Sequence, residues 1–333
     1  MTHRVLWLQS QQTFEVADGE TVLAAAQRQG VELPHECTFG GCGTCRMQVM
    51  EGRVHYEDGE LPLALTEEEH AQGHGLACQA RPLSNLTISV ESGPLHSQPT
   101  LIDAQVGGLR LLGPDVYHLQ LQLPGDHGVL YRPGQYLNIH LDDGSHRSFS
   151  MANPPDDCRV DLQIRRVAGG YFTDRLLGGM QAGQRLRVEM PHGSFHYHAQ
   201  DYRPMVFAAT GTGMAPIKAI LESLLDDDDC PPVSLYWGAR TEQDLYMLDE
   251  IAGWRDRLYD FNFVPVLSRP GAGWTGRTGY VQDAILQDQP DLSEHALYLC
   301  GSPAMIQDAK ARCAHAGADL AHVYSDSFVF QSH

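Results

Sequence analysis

Hydrophobic positions change rhythm twice along the chain, and the changes divide it into three segments, 1–92, 99–200 and 203–333. In the first, two short runs, RVLWL and TFEV, read as strands. VLAAAQRQ fits a helix with Thr21 as N-cap and Gly30 just past its end. A strand-like stretch, RMQVMEGRVHY, follows. Thr66 to Glu69 (TEEE) then spell the capping box of a short helix that Gly73 closes. Ser92 to Pro99 (SGPLHSQP) reads as a linker.

The middle segment alternates apolar and polar residues between many turns. VYHLQLQL, GQYLNIHL, RVDLQIRRV and RLRVEM are its clearest strands, and they predict a mostly antiparallel β-barrel. From about residue 203 the strands become short and continuously apolar: PMVFAAT, VSLYWGA, FNFVPVL and ALYLCGS. Helical stretches separate them, among them MAPIKAILESLL, DLYMLDEIAGWRDRL and PAMIQDAKARCAHAG. Such alternation predicts an α/β domain, a parallel sheet with helices on both faces. Two or three domains suit 333 residues.

Charge narrows the partners. With 42 acids against 23 bases the formal net charge is −19, which excludes a nucleic-acid binder. The run Asp226 to Asp229 reads as a solvated turn. MTHRVLWLQSQQTFEV lacks the apolar run of a signal peptide, and no later stretch is long and apolar enough to span a bilayer. A cytoplasmic protein without a membrane partner is expected, with its eight cysteines reduced.

Four of those cysteines change the picture. Cys37, Cys42 and Cys45 follow the spacing C-x4-C-x2-C, with Cys78 far downstream. This is the plant-type pattern in which four thiolates hold a [2Fe–2S] cluster. The loop CTFGGCGTC supplies Gly40, Gly41 and Gly43, which let the backbone approach the sulfurs closely. A structural zinc site is the competing reading, but it usually needs paired C-x2-C arms and only one is present. Cys158, Cys230 and Cys313 lie outside the pattern and read as core or surface residues.

Two further constellations suit nucleotide cofactors. HRSFSMANPP offers Arg147 for a pyrophosphate, Phe149 to pack on an isoalloxazine ring, and Ser148 and Ser150 as small hydroxyls for a flavin. The next strand carries Ile164, Arg165 and Val167. Beyond it Gly169 and Gly170 open a helix at YFTDRLL, where N–H groups and the Thr173 hydroxyl suit phosphate oxygens. GTGMAP, residues 211–216, follows a strand and enters a helix, so its glycines admit a second pyrophosphate. WGAR and CGS, with Gly238, Arg240, Cys300 and Gly301, fall at the ends of two other strands, where open α/β sheets bind ligands. His192, His196 and His198 (HGSFHYH) raise a metal reading. On a strand His196 and His198 would share one face, yet polar residues at the barrel edge are the simpler account.

Over nearly its full length the chain resembles the ferredoxin-type reductase components of multicomponent oxygenases, in the ferredoxin–NADP reductase superfamily. The motifs that carry the resemblance are CTFGGCGTC with Cys78, RSFS, GGYFT, GTGMAPIKAI, YWGAR with DLY, and CGSPAM. GQYLNIHLDDG, RSFSMANPP and GTGMAPIKAI look especially like the reductases of terephthalate dioxygenases, and reductases of CDP-sugar deoxygenation look similar too.

The resemblance implies a β-grasp ferredoxin domain over 1–92, an FAD-binding barrel over 99–200 and an NAD(P)H-binding domain over 203–333. It implies an NAD(P)H-dependent electron-transfer reductase that serves a terminal oxygenase. A Rieske aromatic-ring dioxygenase leads, with a cytochrome P450, a di-iron hydroxylase or a sugar-deoxygenating enzyme as alternatives. An iron–sulfur sensor without turnover is the rival class.

The implied FAD residues are Arg147, Ser148, Phe149, Ser150, Ile164, Arg165, Val167, Gly169, Gly170, Thr173 and Phe328. Those for NAD(P)H are Thr210, Gly211, Thr212, Gly213, Pro216, Gly238, Arg240, Cys300 and Gly301. Ser150, Cys300 and Asp326 are placed nearest the chemistry, with Phe328 or Phe330 covering the flavin. Phe149 stands where the family often has tyrosine, so the ring is kept and the hydroxyl is not. Arg240 favours a 2′-phosphate and Glu242 and Asp244 repel one, so NADH is expected over NADPH. A monomer is the default.

Overall fold

The computed structural model describes residues 2–31, 33–35, 38–41, 43–90, 99–125, 127–156 and 158–328. Cys37, Cys42, Phe330 and all of the expected linker but Pro99 lie outside the described residues. The chain divides into two compact units. One comprises Met1–His96, Ser302–His315 and Ser325–His333, the other Ser97–Gly301 and Ala316–Tyr324.

In the first unit β1 (His3–Trp7) runs antiparallel to β2 (Gln12–Val16). Their alternate residues Val5, Phe14 and Val16 are buried, as the period of two demands. Helix α1 (Val22–Arg28) starts where the Thr21 side chain accepts from Ala24 N at 3.2 Å, and its apolar face buries Val22, Leu23, Ala25 and Ala26. β3 (Arg46–Glu51) and β4 (Val54–His55) replace the single expected strand RMQVMEGRVHY. Gly52 breaks it at φ +95°, where a Cβ would stand 2.2 Å from the Asn85 carbonyl oxygen. In α2 (Glu67–Ala71) Thr66 and Glu69 form the expected capping box, and Gly73 follows at φ +87°. With β5 (His74–Leu76), β6 (Arg81–Pro82) and β7 (Leu86–Ser89), the main sheet has the order β2-β1-β7-β3-β5.

The second unit opens on six antiparallel strands. They are β8 (Thr100–Leu111), β9 (Val116–Gln122), β10 (Tyr136–His140), β11 (His146–Ser150), β12 (Arg159–Arg165) and β13 (Arg185–His192). Their order is β11-β10-β13-β8-β9-β12, and a bridge between Met151 and Leu162 brings the two outer strands together. Leu119, Leu121, Leu137, Ile139, Leu162 and Val188 fill the interior with no exposed surface. Each such side chain contributes about 1.5–3 kcal/mol.

A parallel sheet follows, built from β14 (Met205–Thr210), β15 (Val233–Ala239), β16 (Phe261–Leu267), β17 (Arg277–Thr278) and β18 (Ala296–Gly301). Its order is β17-β16-β15-β14-β18, with β19 (Val323–Ser327) at the far edge. Helices α3 (Met214–Ser223), α4 (Leu248–Ala252) and α5 (Val281–Asp288) connect these strands, and α6 (Pro303–His315) begins at the expected proline. The stretch expected to be helical over DLYMLDEIAGWRDRL yields only α4, because Leu245 (ψ 66°) and Met247 (φ −127°) leave the helical region before it. Among the described residues no helix is long and apolar enough to cross a membrane.

Candidate functional site

Cys45 is buried at the end of the glycine loop, immediately before β3, and Cys78 follows β5. Two backbone bonds hold them there: Ala77 N donates to Cys45 O at 2.9 Å and Leu23 N to Ala77 O at 2.8 Å. The two sulfurs meet at 3.0 Å, although 33 positions separate them in sequence. The loop that leads into Cys45 takes left-handed conformations at Thr38 (φ +55°), Gly40 (φ +81°) and Gly43 (φ +81°). Gly40 O accepts from Ala64 N at 2.9 Å, and a Cβ on Gly40 would stand 2.6 Å from Pro62 Cβ. Two buried sulfurs against a close-approach loop fit a thiolate-bound metal group, since thiolates are the soft ligands that iron–sulfur clusters need. Burial, with Cys45 and Cys78 adding to it, pushes the Tyr56 hydroxyl up to about 12. Cys230 and Cys313 are buried elsewhere, and burial pushes their thiols up to about 11 and about 12, which suits core residues. Cys158 is half-buried.

A buried ionic group braces the same loop. Arg46, next to Cys45, places Nη1 2.8 Å from Glu69 Oε1 and donates from Nη2 to Ala64 O at 2.9 Å. Lys310 Nζ reaches the same Glu69 oxygen at 3.2 Å, and both residues are 2% exposed. Burial raises the Glu69 carboxyl, but Lys310, Arg46 and the cap outweigh it and hold the group down at about 2.

In the second unit the motif RSFS lies on β11, opposite β10. Arg147 Nη1 donates to His146 O at 2.7 Å, and the Phe149 ring packs on Phe172 with centroids 5.3 Å apart. Ser148 is exposed and Ser150 buried, so the strand presents one hydroxyl outward. Ile164 and Arg165 end β12. Ile164 faces the core, whereas Arg165 pairs with Asp115 at 3.3 Å and approaches Gly211, where a Cβ would stand 3.2 Å from its Nη1. Arg165 therefore bridges β12 and the GTG loop.

The GGYFT turn differs in detail from expectation. Tyr171–Leu176 forms a wide π-type turn whose entry groups are already engaged. Gly169 N donates to the Asp174 carboxylate at 2.9 Å, Gly170 N to Val167 O at 2.9 Å, and Thr173 Oγ1 accepts from Val167 N at 3.1 Å. The turn's N–H groups and the Thr173 hydroxyl, expected free for phosphate oxygens, are thus satisfied within the turn, Gly169 N by a carboxylate.

The three strand-end loops converge. Gly211–Gly213 forms a tight turn leading into α3, in which Pro216 is buried. Gly301 packs so closely on Thr210, and Gly213 on the Cys300 carbonyl, that a Cβ at either would lie only 2.1 and 2.3 Å from them. Gly238 faces Thr210 Cγ2 at 3.2 Å by the same measure, and Trp237 Nε1 donates to Gly211 O at 3.0 Å. Cys300 is fully buried, Thr212 half-buried and Arg240 exposed. The Asp244 carboxylate accepts from Thr241 N and Oγ1, both at 2.9 Å, and stands 4.0 Å from Arg165. Asp326 lies in β19 and Phe328 directly follows it, both half-buried.

The three histidines of HGSFHYH do not converge. His192 ends β13, but His196 and His198 are not on a strand. The rings of His196 and His198 stack at 4.3 Å, and His198 stacks on Tyr324 at 3.8 Å. Burial holds the His198 ring down at about 4. Sequence reasoning passed over Asn138 and His192 as partners of Ser148. They stand 54 positions apart, and only strand register joins them.

Three family descriptions match in chain order: a 2Fe-2S iron–sulfur cluster binding domain over residues 5–83, an oxidoreductase FAD-binding domain over 104–197 and an oxidoreductase NAD-binding domain over 207–311. The chain is 34% identical to the CDP-6-deoxy-L-threo-D-glycero-4-hexulose-3-dehydrase reductase of Yersinia pestis, with 94% of each chain covered. It is 33% identical to reductase component 2 of the terephthalate 1,2-dioxygenase of a Comamonas species, with 98% of each covered. Among solved structures, the Amycolatopsis cytochrome P450 reductase GcoB superposes with a TM-score of 0.73 at 32% identity, again over 98% of both chains.

Proposed function

The chain belongs to the NAD(P)H-dependent oxidoreductases that join a [2Fe–2S] ferredoxin domain to FAD- and NAD-binding domains, and from that premise we propose that it is the reductase component of an oxygenase, a Rieske aromatic-ring dioxygenase foremost. The observation that carries this reading is likeness over the whole chain, 98% of both partners, to a dioxygenase reductase component. FAD held by the barrel residues would supply the conversion between a two-electron nicotinamide donor and a one-electron cluster.

The chain's own residues position these groups. Cys45 and Cys78, with Cys37 and Cys42, would hold the cluster. Arg147 and Ser148 would take the FAD phosphates or ribityl chain, Phe149 and Ser150 would lie at the ring, and Gly169, Gly170 and Thr173 would receive a phosphate once their bonds within the turn are exchanged for it. Close backbone packing at Gly213 and Gly301 shapes the turn Gly211–Gly213 that would receive the NAD(P)H pyrophosphate, and Cys300 would lie near the nicotinamide. Asp244 is held by Thr241, which leaves Arg240 and Glu242 to discriminate at the 2′ position; NADH is the preferred donor. A monomer remains the default in this reading, and a cytoplasmic location would keep its thiols reduced.

The similarity to the Yersinia reductase favours a second reading, electron delivery to a sugar-deoxygenating dehydrase. Anaerobic titration with NADH tests the electron path. Bleaching of both a flavin band and a longer-wavelength iron–sulfur band is expected, and a cluster band that stays oxidised would refute the path. NADH consumption on adding a Rieske oxygenase or a sugar dehydrase then separates the two partners.

A further inference from the structure

Behind Ser148 runs a chain of polar side chains. Ser148 Oγ donates to Asn138 Oδ1 at 2.7 Å, and Asn138 Nδ2 lies 3.1 Å from His192 Nε2. The same ring nitrogen lies 3.2 Å from Glu189 Oε2. Strand register makes the chain: Asn138 of β10 is paired with Ser148 of β11 on one side and with Glu189 of β13 on the other. Asn138 is 6% exposed, so its amide must find its partners inside the protein. The His192 ring is fixed by stacking on Tyr136 at 5.4 Å and 17°.

One ring nitrogen cannot both accept from an amide and donate to a carboxylate. In the neutral ring with its one proton on Nδ1, Nε2 accepts from Asn138 Nδ2, and Asn138 Oδ1 draws the Ser148 proton inward. Nε2 then faces the Glu189 carboxylate acceptor to acceptor, which is unfavourable. The doubly protonated ring can only donate from Nε2, towards Glu189, and the amide turns its oxygen to the ring and its nitrogen to Ser148. The serine oxygen then accepts, and its own proton points out to the exposed side of β11. Each arrangement satisfies the buried amide, so the chain has two discrete states.

We propose that Asn138 and His192 are positioning residues for the FAD contact of Ser148: the proton on His192 sets the direction of the Asn138 amide, and the amide decides whether the Ser148 hydroxyl points inward or outward as a donor to a FAD oxygen. This rests on the assignment of Ser148 to FAD made above. Burial lowers the His192 ring below the ordinary histidine range, Glu189 pulls it back up, and His146 and His140 push it down. The groups that face it are Glu189 on its own strand, His140 on β10, 3.7 Å from Glu189, and His146 on β11, whose ring is 6.0 Å from that of His140. As the pH falls through the His192 range the outward state gains, so FAD is held more tightly.

FAD release from the holoprotein, followed by flavin fluorescence across pH, tests the relay. Release from the wild type slows as the pH falls through that range. Ser148→Ala weakens FAD by about 10-fold, the upper end for one neutral hydrogen bond. Asn138→Asp, which holds the serine proton inward, costs a similar factor and adds nothing to Ser148→Ala. His192→Phe keeps the ring on Tyr136 and abolishes the pH step while His146 and His140 remain. Wild-type FAD affinity in Ser148→Ala would remove the contact itself, and the relay with it. A weakened Ser148→Ala with a pH step that persists in His192→Phe, or with a full additional loss from Asn138→Asp, would overturn the relay alone.

Discussion

Glycines crowd both chemical loops of the chain, Gly40, Gly41 and Gly43 in one and Gly211, Gly213 and Gly301 in the other, and they answer different demands. Gly43 sits at φ +81°, yet a Cβ there would meet nothing closer than Ala64 Cβ at 3.6 Å. It is glycine for its conformation. Gly213 has an ordinary helical φ of −57°, but its Cβ would stand 2.3 Å from the Cys300 carbonyl oxygen. It is glycine for proximity. The cysteine loop relies on side chains: the Cys45 and Cys78 sulfurs meet, and Arg46, Glu69 and Lys310 brace the turn beneath. The strand-end loops work by leaving side chains out, so that backbone touches backbone.

Removing the side-chain chemistry gives the largest effect. Cys45→Ser should lose the long-wavelength absorbance and reduce cytochrome c only at background, while stopped-flow reduction of the flavin by NADH continues; cytochrome c reduction at the normal rate would take the cluster out of the path. Next comes the brace. Lys310→Met leaves the buried Glu69 with one cation fewer and should cost about 3 kcal/mol in urea unfolding, the low end for breaking such a pair because Arg46 remains. Glu69 is also held at about 2 against an ordinary 4.5, so its contribution is present above pH 4.5 and is lost as the pH falls towards 2. The stability advantage of the wild type over Glu69→Gln should vanish across that interval.

Overpacking the proximity glycine follows. Gly213→Ala should cost about 1–3 kcal/mol and raise the KM for NADH while leaving the iron–sulfur spectrum unchanged. The smallest effect is expected from Gly43→Ala, about 1 kcal/mol of backbone strain with an unaltered KM. If Gly43→Ala raised that KM as much as Gly213→Ala does, the division between conformation and proximity would fail.

Much of this was legible along the chain because the signals were local. VSLYWGA and FNFVPVL coincide with β15 and β16, and TEEE with its capping box, since a continuous apolar run or a four-residue cap needs no distant partner. β8 was not among the expected strands. Gly107 and Gly108 interrupt its alternation, and the register with β9 shifts between Val106 and Gly108. The cysteine spacing pointed to Cys45 and Cys78, but the brace under them joins Glu69 to Lys310, 241 positions apart, and no local pattern announces it. The Ser148–Asn138–His192 chain was hidden for the same reason, since it exists only once three strands are in register.

The meeting of Cys45 and Cys78 has a consequence for how the first unit is assembled. Their sulfurs touch across 33 positions of chain, and the intervening segment includes β3, β4, α2 and β5. Any metal group that spans the two ends fastens that whole segment into a ring, and the freedom the unfolded chain loses grows with the length enclosed. Iron insertion is thereby also a topological closure: before it the segment is free to open from either end, and afterwards it can leave the fold only as a closed loop.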